Sequence, residues 1–459
     1  MTPVRRSRPR FGRGARRLAV ALAVAVLAGC GGGGGGDGDT VAPPAGCSVA
    51  EQQQWLATYM DDWYFWYRLS PRPAPGAHAD VQSYFDALLY TGSDPAFPAD
   101  RWSRSESTES FNRFYGEGST LGYGVSVAGL EVAGDPTQPL YVRHVEPRSP
   151  AAALGVQRGD EVLSIDGRSA SEVIAADDFS ALTAAAAGDH LTLELRRAGV
   201  SRTVTISAAV FALTPVSGTA VLDIGPGRKL GYVAVKDMID QALAPLETSF
   251  SRFRAEGVSD LVLDLRYNGG GLVATGGVVA SYIAGTRGDG RSYATLLYND
   301  KRAASNQRFA FSRPSSALTL PRVFVLMGRR TCSASEQVIN GLRGVGVEVV
   351  AIGETSCGKP VGSSPTSACG RTYSVVNFEG VNDRNEGRYF DGFDATCVVR
   401  EDFTAAQGAD TDPLLAAARH HAQTGQCPAQ ASLRQQLLQR QPARQLRRPS
   451  DEREDLLVR

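Results

Sequence analysis

Hydrophobic positions follow three successive rhythms along the chain, each predicting a different kind of structure. Ser48 and Glu51 stand three residues apart, ahead of Trp55, Tyr59, Trp63 and Trp66. This is a capping box followed by apolar residues near helical spacing. It predicts a helix over 48–68 with an aromatic face, and core packing is the ordinary use of such a face. A loop holding Pro71, Pro73 and Pro75 leads to a second predicted helix near 79–90. The two form a small helical cap within residues 47–117. Over 118–212 the rhythm shortens. Predicted strands Tyr123–Val127, Leu140–Val145, Glu161–Ile165, Leu191–Arg196 and Ser201–Ile206 are separated by glycine-bearing turns, as in a small β-rich domain. Over 213–428 strands and helices alternate. The predicted order is strand Gly231–Val235, helix Leu243–Glu256, strand Leu261–Leu265, a glycine turn and a helix, strand Val323–Met327, helix Ala334–Leu342, and strand Val347–Ile352. That alternation predicts an α/β domain with functional groups at the carboxyl ends of its strands. Residues 429–459, rich in Gln, Arg, Asp and Glu, read as a disordered tail.

Charge changes the picture at the start of the chain. The formal net charge is zero over 459 residues, but residues 1–30 hold seven Arg and no acid. Without them, 41 basic residues face 48 acidic ones. No basic surface remains to suggest a nucleic-acid partner. The arginines precede the apolar run Leu18–Ala28, too short to span a bilayer comfortably, which is the layout of a secretory signal. The run ends Leu27-Ala28-Gly29-Cys30, which resembles the lipobox of bacterial lipoproteins. The resemblance implies that Cys30 becomes the acylated first residue of the mature chain. A glycine run, Gly31–Gly36, would then tether the body to a membrane within residues 31–46. Gly31, where Asp is absent, implies the outer membrane and a periplasmic location.

Candidate chemistry rests on three segments. Only four of the 48 basic residues are lysine: Lys229, Lys236, Lys301 and Lys359. Where Arg is the default cation, a surviving Lys invites the question of what Arg cannot do, and a buried Lys can lose its proton and act as a base. Lys359 lies in the turn 353–360 (GETSCGKP), whose plainer reading is a surface loop. The segment 331–336 (TCSASE) follows a strand and opens a helix. A Ser there is either a simple N-cap or a group exposed beside outward-facing N–H donors. The segment 264–271 (DLRYNGGG) ends a strand in consecutive glycines, either a tight turn or N–H groups freed for a substrate carbonyl. The five histidines, at 78, 144, 190, 420 and 421, stand outside all three segments, so a Ser-His-Asp triad has no evident base.

Residues 149–167 (SPAAALGVQRGDEVLSIDG) resemble a PDZ domain, which accepts a peptide as an added strand and holds its carboxylate on loop N–H groups. The loop for that role is Leu121, Gly122, Tyr123 and Gly124; a hairpin turn without ligand is the alternative. With this domain, the ordered set of 264–271, 333–336 and 353–359 resembles the C-terminal processing (tail-specific) serine peptidases. The resemblance implies a crotonase- or ClpP-like α/β core with a PDZ domain and a helical cap. It also implies Ser333 as nucleophile, Lys359 as base, oxyanion donors on the N–H groups of Gly270 and Ala334, and no cofactor or metal. The implied partners are the C-termini of unstructured polypeptides. The chain departs from the family at Ser363, where Gln is frequent, which leaves the third catalytic residue unnamed, with Asn377 or Ser335 able to help. An alternative reading is a binding protein that kept the fold and lost catalysis.

Beyond Cys30, six cysteines remain, an even number in an exported chain and so a set of three disulfides. No CxxC or paired Cys/His spacing points to zinc. The expected pairs are Cys47–Cys427, tying the two ends of the folded body, and Cys357–Cys369, bracing the Lys359 turn. Cys332–Cys397 follows by elimination, with a free Cys332 as its rival.

Overall fold

The computed structural model describes residues 41–429, 453 and 455–458; Cys30 and the predicted leader lie outside them. The α/β region is built on a six-stranded sheet. Its order is Val216–Asp223, Lys229–Val235, Asp260–Asp264, Arg322–Met327, Glu348–Gly353 and Cys397–Val398. The first pairing is antiparallel and the rest are parallel. Parallel strands need both faces covered, and the side chains divide accordingly. Val233, Leu261, Leu263 and Val325 meet the helices Leu243–Glu256, Val273–Ala284 and Ala334–Gly344. Leu230, Val262, Phe324, Leu326 and Ile352 meet the helix Pro413–Thr424 on the other face.

Residues 125–207 form a separate antiparallel sheet, ordered 125–127, 140–145, 161–165, 190–197 and 200–207, with its own core around Val142, Leu191, Leu193 and Leu195. Val125–Val127 stands at one edge of this sheet, with its outer side unpaired among the described residues. The helical cap does not stand alone. Trp55, Tyr59, Tyr64 and Phe85 pack on Val361, Tyr373 and Val375, and the strand Arg104–Ser107 pairs with Arg371–Ser374.

The first helix runs Val49–Trp63, with Ser48 and Glu51 bonded as a capping box. It stops five residues before the expected end because Tyr64 turns extended and the Phe65 N–H bonds the Val376 carbonyl at 2.9 Å. A tertiary backbone bond thus overrides an aromatic pattern that would have continued the helix. The second helix, Val81–Ala87, is shorter than expected, and Asp80 caps its start through Ser83 N–H.

Two expectations are overturned. All six cysteines pair, but as Cys47–Cys369, Cys332–Cys357 and Cys397–Cys427, with Cα–Cα distances of 5.6, 5.2 and 5.4 Å. Cys332 is therefore not free. The pairing follows sheet adjacency, because residues 332 and 357 end neighbouring turns, and Cys427 closes the helix that packs beside strand 397–398. The tail is also not uniformly loose. Asp455–Leu457 is a strand, parallel to Gly270–Leu272, and all three residues are buried.

Non-reducing peptide mapping is expected to recover those three pairs. Removing Cys47–Cys369 by a double serine substitution should cost about 2–4 kcal/mol in urea unfolding. Recovery of Cys47 joined to Cys427 would contradict the fold.

Candidate active site

Three neighbouring parallel strands, 260–264, 322–327 and 348–353, end on the same edge of the sheet. The three segments singled out from the sequence are the turns that leave those ends. Sheet order alone therefore brings Gly270, Ser333 and Lys359 into one neighbourhood.

The first turn is shaped from below. Arg266 is buried and donates to both Asp264 oxygens at 3.0 and 3.1 Å, and to Asp412 at 2.6 Å. Asn268, fully buried, donates to the Val235 carbonyl at 3.0 Å, and its Oδ1 accepts from Gly270 N–H at 2.8 Å. Its own carbonyl accepts from Cys332 N–H at 3.1 Å and Ser335 Oγ at 3.0 Å. Asn268 thus bonds both the glycine turn and the Ser333 turn. Gly270 and Gly271 have φ of +116° and +132°, a region open essentially to glycine. The Gly270 N–H, expected as an oxyanion donor, donates to Asn268 Oδ1 in this structure.

Ser333 sits at φ +55° and ψ −115°, just before the helix Ala334–Gly344. For a residue with a Cβ this conformation costs on the order of 1–3 kcal/mol and is seen where a nucleophile is presented on a sharp strand–helix turn. Its Oγ is buried and has no hydrogen-bond partner among the described residues. Ala334 opens the helix, where first-turn N–H groups have no intrahelical acceptor.

Glu336 joins this turn to the next. Its buried carboxylate accepts from Ser333 N–H at 3.0 Å, Gly358 N–H at 2.8 Å, Lys359 N–H at 2.8 Å and Ser356 Oγ at 2.6 Å. Burial pushes its carboxyl up, and those four donors pull it back. The disulfide Cys332–Cys357 clamps the same two turns covalently. Lys359 is left only 2% exposed. Burial pushes its ammonium down to about 8; nearby Asp455, Asp100 and Glu336 oppose the shift and Arg104 adds to it.

The remaining expectations fall elsewhere. Asn377 donates to Tyr59 Oη at 3.2 Å and the Trp63 carbonyl at 3.1 Å, so it anchors the cap to the sheet. Ser335 serves Asn268. In the loop 121–124, the Gly124 carbonyl accepts from Glu146 N–H at 3.0 Å and Tyr123 is buried in the small sheet's core. Gly124 has φ +76°, and a Cβ there would overlap Ser149. Leu121 and Gly122 end the strand Ser119–Gly122, which pairs with Ala209–Ala212, and only Tyr123 and Gly124 link it to the open edge strand 125–127. His144 stands 3.4 Å from Glu146 and 6.3 Å, ring to ring, from Tyr267. Glu336 was missed as a clamp, although an acid three residues after a helix-opening Ser is a legible N-terminal signal.

Comparison with known proteins bears on the same segments. Residues 229–389 match the model of peptidase family S41, residues 141–197 that of a PDZ domain, and residues 51–104 that of the peptidase S41 N-terminal domain. A carboxyl-terminal-processing peptidase 1 of Arabidopsis thaliana is 28% identical over 261 residues, 57% of this chain and 51% of that one. A carboxyl-terminal-processing protease of Picosynechococcus sp. is 28% identical over 214 residues, 46% and 49% of the two chains. The chain spans about half the length of these curated relatives. A solved structure of an S41-type chain from Bacteroides fragilis superposes with a TM-score of 0.63 at 23% identity, covering 81% of this chain and 97% of that one, which shows the shared fold.

If Glu336 is the clamp, Glu336→Gln should cost about 3–5 kcal/mol in urea unfolding, because the new amide turns a donor toward N–H groups it cannot bond. Ser335→Ala, which loses one neutral bond, should cost about 1 kcal/mol. Equal losses would deny Glu336 that role.

Proposed function

The chain belongs to peptidase family S41, and on that premise we propose that it is a serine endopeptidase with Ser333 as nucleophile and Lys359 as general base. One observation carries the reading. The only buried lysine among the described residues has a pKa lowered to about 8, and it shares a carboxylate clamp and a disulfide with a strained, unpartnered serine. A base poised near the working pH is what proton abstraction from a hydroxyl requires.

In the proposed cycle neutral Lys359 Nζ takes the Ser333 proton as Oγ adds to the scissile carbonyl. The oxyanion is held by the Ala334 N–H at the helix start and by the adjoining glycine turn 269–271. The lysine then gives its proton to the leaving amine, and an acyl-serine remains. Water then adds to the acyl carbon and loses its proton to Lys359, which returns it to Ser333 Oγ as the acyl bond breaks and the new carboxyl product leaves.

The loop 121–124 and the open edge Val125–Val127 suit capture of a polypeptide C-terminus as an added strand, which would deliver an unstructured chain to the groove. The three disulfides support an oxidising compartment outside the cytoplasm. With the lipobox at Cys30 they favour a periplasmic enzyme anchored to the outer membrane by acylation.

Ser333→Ala, Lys359→Ala and Lys359→Arg are each expected to lower cleavage of an unfolded substrate such as casein by about 10²–10⁴-fold. Arg cannot accept the proton, so full activity in Lys359→Arg would refute the mechanism. The sign of the pH effect follows from the lowered lysine pKa. The base is protonated below about 8 and free above it. kcat/KM should therefore rise with pH through about 8, and a flat profile from 6 to 9 would count against a lysine base.

A further inference from the structure

The groove beside Ser333 is occupied by the chain itself. Residues 455–458 lie between Gly270–Leu272 on one side and Val361–Ser363 on the other, parallel to both. Asp455 N–H donates to the Gly269 carbonyl at 3.1 Å. On the opposite edge Ser363 N–H donates to the Leu456 carbonyl at 2.8 Å, and Val458 N–H donates to the Ser363 carbonyl at 3.1 Å. These are main-chain bonds on both edges, which any extended peptide could make. The segment also touches the reacting group. A Cβ built on Gly270 would overlap the Asp455 carbonyl oxygen while standing 2.8 Å from Ser333 Cβ and 3.0 Å from Ala334 N. The peptide unit of Asp455 therefore lies where the proposed nucleophile and oxyanion donor converge, and Ser333 has no exposed surface.

The side chains occupy distinct subsites. The Asp455 carboxylate, 1% exposed, is bonded by both Arg104 and Tyr115. Leu456 is fully buried with the main α/β core. Leu457 fills an apolar pocket of Phe111, Phe114, Phe211, Ile239 and Leu272. Farther back, Arg453 donates to Glu106 at 2.5 Å and Ser110 at 2.9 Å, and lies over the Phe114 ring at 4.6 Å. A charged subsite next to two apolar ones, joined by strand pairing, is the composition of a peptide-selective cleft.

Resting on the peptidase reading, we infer that this cleft takes polypeptide as an added strand with an acidic residue at Ser333 followed by two leucine-type residues, and that segment 455–458 fills it in cis as a tethered competitor. Arg104 and Tyr115 are the residues that select the acid. The occupant blocks access to Ser333 sterically. Its carboxylate also favours the protonated form of Lys359, which is the form unable to act as base.

The test uses the full chain with a site-specific protease sequence inserted between residues 430 and 450, cut only after folding, and freed of the tail fragment. The probe is a fluorescein-labelled peptide of residues 453–459 (REDLLVR). It should bind the cut, stripped chain at least about tenfold more tightly than the uncut chain, where the tethered copy competes. Labelling of Ser333 by a fluorophosphonate should rise about tenfold on stripping and fall again when unlabelled peptide is added. An Asp455→Ala peptide should bind about tenfold more weakly to the stripped chain but lose little further on an Arg104→Ala chain, because the two changes remove one interaction. A peptide that binds cut and uncut chains alike, or neither, overturns the inference, as does unchanged labelling on stripping in a chain that labels. Because peptide binding is read without catalysis, a stripped chain that binds the peptide in competition with its tail yet neither labels nor cleaves casein leaves the cleft assignment standing and refutes the peptidase reading instead.

Discussion

A single buried carboxylate holds this site together. Glu336 accepts from Ser333 and Lys359 main-chain N–H groups, from Gly358 N–H, and from Ser356 Oγ. Those donors belong to two turns that leave adjacent strands, and nothing in the strands themselves sets the spacing of the turns to a fraction of an ångström. Bonds to an ionised acceptor are the stronger kind, about 1.5–3 kcal/mol each. Together they offset part of the cost of burying the charge, which still holds the carboxyl above its ordinary range. The disulfide Cys332–Cys357 acts on the same pair of turns. The carboxylate sets their register, and the covalent bond limits how far they can separate.

The rest of the site is arranged around that clamp. Asn268 fixes the glycine turn against Cys332 and Ser335, and Arg266 fixes the base of the same turn against Asp412, the N-cap of the last helix. The small antiparallel domain reaches both turns through ions. Glu131 meets Arg330 at 2.7 Å, three residues before Ser333. Arg158 donates to Tyr267 at 2.5 Å and to Glu401 at 2.9 Å. The small domain is therefore wired to the glycine turn and the Ser333 turn, while the groove beside Ser333 holds a strand of the chain's own.

Much of the α/β architecture was legible because its signals are local. Buried parallel strands such as Leu261–Leu265 and Val323–Met327 are continuous apolar runs, and the structure places them within a residue, at Asp260–Asp264 and Arg322–Met327. The four-lysine count points at Lys359 because Arg replaces Lys readily at a surface and poorly where the side chain is buried, as Lys359 is. What was illegible depends on proximity between distant segments. Fifteen pairings of six cysteines are equally consistent with spacing, and only the adjacency of the two turns joins Cys332 to Cys357. Residues 455–457 carry no periodicity of their own. They are a strand because two strands flank the gap they fill, and a polar stretch before them disguised four residues of Asp-Leu-Leu-Val. A glycine run says nothing of which way each N–H points; in the structure the Asn268 side chain takes the Gly270 N–H.

The central claim is that the clamp buries Lys359 as a base able to lose its proton near neutrality. With only four lysines in the chain, carbon-13 labelling at lysine Cε gives a spectrum simple enough to titrate residue by residue, Lys359 being assigned from the Lys359→Arg variant. The account predicts one Cε resonance that titrates near 8 and is lost in that variant. Four resonances that all titrate above 10 would contradict it.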